Sequence, residues 1–310
     1  MIKNILADSH PSIKFIIAVF IMLTIFLVSI IIGAFVSIPV FNISLSNIQE
    51  VLNNPLNPDN INVLKFFQII QTIGLFVIPP FLIVYIIDDT SSIKYLQLKN
   101  RVSVKSILLV ILIMAAALPI INFLAKINSE MKLPDVLSGL EQNMKNSELS
   151  AQKLIEAFLN VKTTGGLFFN IFMIAVLPAI GEELVFRGVM QKIFTEWTKN
   201  IHWGIIISAF FFSFIHFQFY GFIPRMMMGV LFGYLLVWSG SICLPIIAHF
   251  INNSIAVVFY YYYGDKMTEQ IDNLGATEGS FIYLFLSIIC LSIFLYGLYR
   301  INKKQVPEKI

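Results

Sequence analysis

The chain is poor in charge. Only 13% of its 310 residues are Asp, Glu, Lys or Arg, while 57% are hydrophobic. An ordinary soluble domain carries about 25% charged residues, so a chain exposed to water on all sides is excluded. The formal net charge is only +3 and the basic residues are scattered, which argues against a nucleic-acid partner. Cysteine is nearly absent. Cys243 and Cys290 both lie in apolar runs, without Cys-x-x-Cys or a disulfide framework, so neither a thiolate metal site nor redox chemistry is indicated. There is no internal repeat, no low-complexity tract and no soluble domain.

Long apolar runs fill the space that charge leaves, and the mean hydropathy is +0.82. A membrane-crossing helix needs about 20 apolar residues. Eight candidates follow: Phe15–Val36, Phe66–Ile87 (with Pro79-Pro80), Ser106–Ala125 (with Pro119), a run from Gly166 towards Thr195, Trp203–Phe219, two from the stretch Met226–Gly264, and Ser280–Tyr299. The stretch 226–264 is too long for one span and breaks at Ser239-Gly240-Ser241. The first run exceeds a signal-peptide core of about 7–15 residues and reads as a retained span. The expected fold is all-α, a polytopic membrane bundle with a polar cavity inside it. Residues 1–165 would hold spans one to three and an amphipathic loop, 166–262 a catalytic core of spans four to seven, and 263–310 the last span and a tail.

Orientation follows from where Lys and Arg fall. With the N-terminus inside, the cytoplasmic side holds Lys3, Lys14, Lys94, Lys99, Arg101, Lys105, Arg187, Lys192, Lys199, Arg300, Lys303, Lys304 and Lys309, thirteen of the twenty-one. Loop 37–63 has neither Lys nor Arg, and loop 264–278 carries Asp265, Glu269, Asp272 and Glu278 against Lys266. Both suit the outside, and both termini are then cytoplasmic. The long insertion 126–165 contains one amphipathic segment, Leu149–Val161, suited to a short helix at the interface or in water.

Charge inside the membrane is the informative exception. The run Leu177-Pro-Ala-Ile-Gly-Glu182-Glu183-Leu-Val-Phe-Arg187 keeps three charges in an apolar stretch, at about 2.5–3.5 kcal/mol each on insertion scales. His216, His249 and Asn253 follow in later spans. Glu182 lies 17 residues before Lys199 and His216 lies 17 after it. Both therefore sit on the order of 25 Å of path from that turn. His249 and Asn253 lie roughly 12–18 Å beyond Ser241 on the same face. All four groups can meet in one cavity, which these depths place on the cytoplasmic side. Glu183 and Arg187 are spaced i,i+4 for an ion pair, as His249 and Asn253 are for a shared face. Phe212 and His216 share a face in the same way. Pro178 and Pro245 each precede an embedded polar residue by four, so both helices are expected to open locally there.

A glutamate beside an imidazole can activate water as a general base. A second imidazole and a carboxamide can stabilise a developing oxyanion. The candidate catalytic residues are Glu182, Glu183, His216, His249 and Asn253, with Arg187 supporting. Glu182, His216 and His249 are also a three-ligand set suited to a divalent metal such as zinc, although His-Glu-x-x-His is absent. Metal-free and metal-assisted chemistry both stay open. His10 and His202 flank spans and are given no role. Tyr260–Tyr263 reads as an aromatic belt, and Met226–Met228 as lipid-facing or packing.

In these residues the chain resembles the CAAX-prenyl-protease/bacteriocin-processing family of intramembrane proteases (CPBP or Abi). The family pattern EExxxR, FxxxH, HxxxN reads here as Glu182-Glu183-Leu-Val-Phe-Arg187, Phe212-Ser-Phe-Ile-His216 and His249-Phe-Ile-Asn-Asn253. The Ser239-Gly240-Ser241 turn before Leu244-Pro245 also looks like the family's link. The resemblance covers roughly Gly166–Val258. It implies an endopeptidase that cuts near the cytoplasmic face. Glu182 and His216 would activate water, His249 and Asn253 would stabilise the oxyanion, and Glu183 and Arg187 would support the site. It implies a membrane-associated protein or peptide substrate, lipidated in the eukaryotic branch, and for bacterial members peptide maturation or immunity. Two signatures of other intramembrane proteases, Gly-x-Ser-Gly and Gly-x-Gly-Asp, are missing; the nearest is Tyr262-Tyr263-Gly264-Asp265. The Ile/Asn/Lys-rich composition leans bacterial. The rival readings are a membrane transporter, whose embedded acids would be spread over several spans, and an inactive family member acting as a scaffold.

Overall fold

A computed structural model describes residues 4–264 and 273–303. Among these the chain is entirely helical and turn. The helices used below are α1 (Pro11–Phe41), α2 (Pro58–Ile87), α3 (Val104–Glu130), α4 (Ser138–Leu159), α5 (Thr164–Thr198), α6 (Ile201–Phe214), α7 (Phe222–Ser239), α8 (Cys243–Tyr263) and α9 (Phe281–Asn302). Seven of them are long and apolar enough to cross a bilayer, all but α4 and α6. Such a protein is an integral membrane helix bundle. The acidic positions Asp265, Glu269 and Asp272, with Lys266, lie outside the described residues, as do Lys3, Lys304 and Lys309.

The outer surfaces suit lipid. Phe20, Leu27, Ile31 and Phe35 on α1, and Phe285, Ile289 and Ile293 on α9, are exposed. In a bilayer this costs nothing, because lipid tails are as apolar as the side chains. Inside, two clusters flank the bundle axis. One joins Ala18 and Met22 of α1, Phe76, Ile83 and Val84 of α2, and Leu184, Val185, Val189 and Ile193 of α5. The other joins Val110, Ile113 and Met114 of α3, Met228, Phe232 and Leu235 of α7, Leu244 and Ala248 of α8, and Leu298 of α9. The embedded polar residues sit between the two.

Three expectations are corrected by the backbone. The fifth span, expected over Trp203–Phe219, is only the 14-residue α6 and stops at Phe214. Phe217 adopts φ +52°, a left-handed conformation that no α-helix continues through, and the chain turns over 215–221. Pro245 does not open its helix. It is the third residue of α8, where the backbone N–H would have no helical partner in any case. The helix in the 126–165 insertion runs from Ser138 to Leu159 rather than starting at Leu149. Its C-terminal Phe158 is buried with Val63, Leu64 and Met173, so α4 is anchored to α2 and α5. Met226–Met228 divides between the two roles expected of it: Met228 packs in the core, while Met227 is exposed.

Two faces can be distinguished. On one lie the start of α1, the 88–103 segment, the Lys199 and Gly240 turns and the end of α9. Asn100 bonds Gly240 O there, and Ser241 Oγ donates to Asn100 O at 2.8 Å. Lys14 of α1 pairs with Glu196 of α5 at 2.9 Å on the same face. On the other face lie α4 and the 215–221 turn. Tyr220 N donates to Glu148 at 3.2 Å, and Asn128, near the far end of α3, donates to Phe219 O at 2.9 Å.

Candidate active site

Helix α5 carries the two glutamates past a built-in defect. Pro178 has no N–H to give the carbonyl four residues earlier, which is Ile174. The helix widens to a π turn over Ile171–Val176 just before it. Asn253 of α8 donates its Nδ2–H to Ile174 O at 3.1 Å. One proline thus frees an acceptor, and one motif residue satisfies it across the helix interface. Gly181 brings α5 hard against α2. A Cβ there would stand 2.8 Å from Phe76 Cβ, so any larger residue would push the glutamate-bearing turn away. A second π turn, Phe186–Met190, follows the glutamates.

Glu183 and Arg187 are almost wholly buried, 0% and 1% exposed. They form the expected i,i+4 ion pair, Nε to Oε2 at 3.1 Å. Arg187 Nη2 donates to Gly229 O at 3.0 Å, and the guanidinium lies 4.4 Å from the Phe212 ring centroid. Glu183 Oε1 accepts from His249 Nδ1 at 2.9 Å. A carboxylate can only accept, so the Nδ1 proton is fixed and the neutral ring leaves Nε2 bare. Phe232 stacks on the same imidazole, centroids 5.4 Å apart. Glu183 and Arg187 therefore hold His249 in orientation.

Glu182 points the other way, as the 100° step between adjacent helix residues requires. Its Oε2 lies 3.9 Å from His249 Nε2 and 4.0 Å from His216 Nε2. It has no hydrogen-bond partner among the described residues. His216 sits in the turn after α6 rather than on a helix. Its Nδ1 donates to Phe212 O at 2.8 Å, so its Nε2 is also the bare nitrogen. Two imidazole lone pairs and one carboxylate oxygen thus face a common point from three segments of chain. They open onto a cavity of about 260 Å³, also lined by Arg225, Phe232, Asn252 and Asn253.

As a metal site the trio does not fit. Tetrahedral zinc with bonds of about 2.0–2.1 Å needs ligand atoms about 3.3 Å apart, less than the 3.9 and 4.0 Å found. Among the described residues no group of three or more His, Cys, Asp or Glu side chains could hold an ion.

Gly188 packs on Leu96 and Ile242 so tightly that an added Cβ would meet Leu96 at 2.7 Å. The cavity has His249 and Phe232 among its lining. Its other lining residues, Gly221, Pro224 and Arg225, sit at the end of α7 nearer α4. The cavity therefore extends towards the face bearing α4, away from the Lys199 and Gly240 turns. The short α6 is the cause: a chain that turns back at 215–221 leaves space above it on that side. His10 and His202 are remote, bonded to Ser12 and to Tyr234 respectively.

Sequence reasoning missed Arg225. It stands one residue before the uncharged stretch that drew attention, yet a lone arginine at membrane depth is itself a flag. The fixed tautomers of His216 and His249 were also out of reach, because they depend on a carbonyl and a carboxylate brought in by folding.

Residues 164–255 match the family model described as Rce1-like, type II CAAX prenyl endopeptidase Rce1-like, and this bears out the resemblance drawn from the three motifs. The chain is also similar to the "Uncharacterized protein YpbD" of Bacillus subtilis (strain 168), with 27% identity over 111 residues, 34% of this chain and 54% of that protein. The match thus spans about half the length of the curated relative. No solved structure matches.

Proposed function

We propose that this chain, Rce1-like over the segment that carries its embedded charges, is an intramembrane endopeptidase. Its substrates would be membrane-associated proteins or peptides. The observation that carries the reading is the convergence of Glu182 Oε2 with the bare Nε2 atoms of His216 and His249 at 4.0 and 3.9 Å. Those separations are too long for direct hydrogen bonds. They suit one water held by both partners at about 2.8 Å with an angle near 90°.

In this mechanism Glu182 and His216 orient that water, and Glu182 takes its proton as it attacks the scissile carbonyl. The proton then passes to the leaving amine. His249, held by Glu183, and the second N–H of Asn253 face the developing oxyanion, with His249 Nε2 first taking up a proton from water entering the cavity and returning it when the product leaves. Asn253 has a second duty, because its first N–H holds the freed Ile174 carbonyl. The catalytic core is 166–262, with 1–165 supplying spans and the α4 insertion, and 263–310 the last span and tail. No step is routed through a metal.

A lipidated substrate is favoured by one feature. A groove of about 370 Å³ between α1 and α6 is lined by Phe15, Val19, Met22, Phe186, Phe211 and Ile215, with almost no polar surface. The groove is separate from the catalytic cavity and comes near it through Phe211 and Ile215, the chain neighbours of Phe212 and His216. The Lys/Arg distribution and the Bacillus relative support a bacterial cytoplasmic membrane with both termini inside. Cleavage would then occur on the α4 side of the midplane, towards the outer face, a revision of the expected cytoplasmic-face cut. The embedded acids stand together at Glu182 and Glu183 rather than spread over several spans, which argues against a transporter.

The test is quantitative membrane proteomics comparing cells carrying the wild type with cells carrying Glu182→Ala at equal protein level. Uncut membrane-proximal segments that accumulate only in the variant are the expected result. Identical peptide profiles would count for the scaffold reading.

A further inference from the structure

Arg225 is the one charged residue of the cavity that the mechanism leaves without work. It occupies the first turn of α7 and lines the same 260 Å³ space as Glu182, His216 and His249. It forms no ion pair among the described residues. Nη2 donates to Gln218 Oε1 at 2.5 Å, a neutral partner. Nη1 is shielded from solvent and has no hydrogen-bond partner. Glu148 of α4 acts on the guanidinium only through space, its carboxylate accepting from Tyr220 N.

The surroundings are shaped for the guanidinium. Gly221 stands across from it, and a Cβ there would lie 2.9 Å from Nη2. Gln218 and Gly221 both come from the 215–221 turn that also carries His216, so the cation and the reacting centre are held by one piece of backbone. The residue is partly buried, and a guanidinium drawn out of water favours an anion, its planar fork matching a carboxylate in a bidentate pair. Glu182 cannot fill that role while it serves as base.

We propose that Arg225 binds a carboxylate of the peptide substrate and thereby fixes which bond reaches Glu182. This rests on the endopeptidase reading and names a specificity element within it. The cavity is small, so the carboxylate must lie within a few residues of the bond cut. Its source is either an acidic side chain or the peptide's own C-terminus.

The experiment uses the full-length protein in detergent and a mixture of short synthetic peptides. Each sequence is made with a free or an amidated C-terminus, and with Asp/Glu or Asn/Gln inside. Retention on Glu182→Gln protein is measured by mass spectrometry, alongside cleavage by the wild type. The expected result is that carboxylate-bearing peptides are retained about 10- to 100-fold better than their neutral twins, the range for a hydrogen-bonded charged pair. Loss of preference on amidation assigns the C-terminus, and loss on Asp/Glu to Asn/Gln assigns a side chain. In Glu182→Gln/Arg225→Gln protein the ratio falls to about one, and with Arg225→Lys it is partly kept. Equal retention of acidic and neutral twins by Glu182→Gln protein overturns the proposal, whatever the variants do. Retention without cleavage by the wild type keeps the carboxylate site and removes the endopeptidase reading.

Discussion

Arg187→Met breaks the most deeply buried ion pair among the described residues. The change removes the ion pair to Glu183, the hydrogen bond to Gly229 O and the contact with the Phe212 ring. It leaves Glu183 at 0% exposure with only His249 Nδ1 as a partner. Breaking one side of a buried pair costs about 3–5 kcal/mol, more than the pair's own net worth, because the surviving charge stays out of water. The same logic sets the sign of a second variant. Glu183→Gln/Arg187→Met removes both charges, so it should recover roughly half or more of that loss. The assay is unfolding by SDS titration in mixed micelles, followed by helix circular dichroism. A single variant within about 1 kcal/mol of wild type, or a double variant worse than the single, would refute the reasoning.

Three further outcomes are expected. Asn253→Ala leaves the Ile174 carbonyl unsatisfied and should cost about 1–3 kcal/mol of stability; adding Pro178→Ala, which supplies a helical N–H, should restore most of that in the same titration without restoring activity. On α4, the Glu141 carboxyl is held below its usual range chiefly by the Leu133 N–H bond; its contribution is present above the unfolded pKa and lost as pH falls through the folded one, so exchange of the Leu133 amide should speed up on acidification, and Glu141→Gln should show fast exchange at neutral pH. With both termini cytoplasmic, an impermeant thiol reagent on intact cells should label Ser150→Cys on α4 but not Ser91→Cys in a cysteine-free background, and the reverse pattern would turn the cavity towards the cytoplasm.

Much of the bundle could be read along the chain because membrane helices announce themselves locally, by length and apolarity. The Glu183–Arg187 pair was legible too, since i,i+4 spacing is a property of one helix. What escaped were features set by neighbours. The end of α6 at Phe214 could not be seen in a run that stays free of Asp, Glu, Lys and Arg to Phe219. The Pro178 defect was visible, but its partner Asn253 is 75 residues further on and only packing joins them. Pro245 misled for the opposite reason: its meaning depends on where the helix begins, and that is fixed by the Gly240 turn. Counting along helices allowed Glu182, His216 and His249 to meet, as they do, but it says nothing about which end of a cavity is roofed.

Cleavage by the purified, reconstituted protein tests the central claim most directly. A mixture of lipidated and unmodified peptides would be incubated with wild type, Glu182→Gln and His216→Ala proteins in proteoliposomes, and new termini identified by mass spectrometry. The account requires internal cuts by the wild type that fall at least about 100-fold in both variants, the usual weight of a general base. Cuts that persist in Glu182→Gln, or a wild type that cuts nothing while correctly folded, would contradict it.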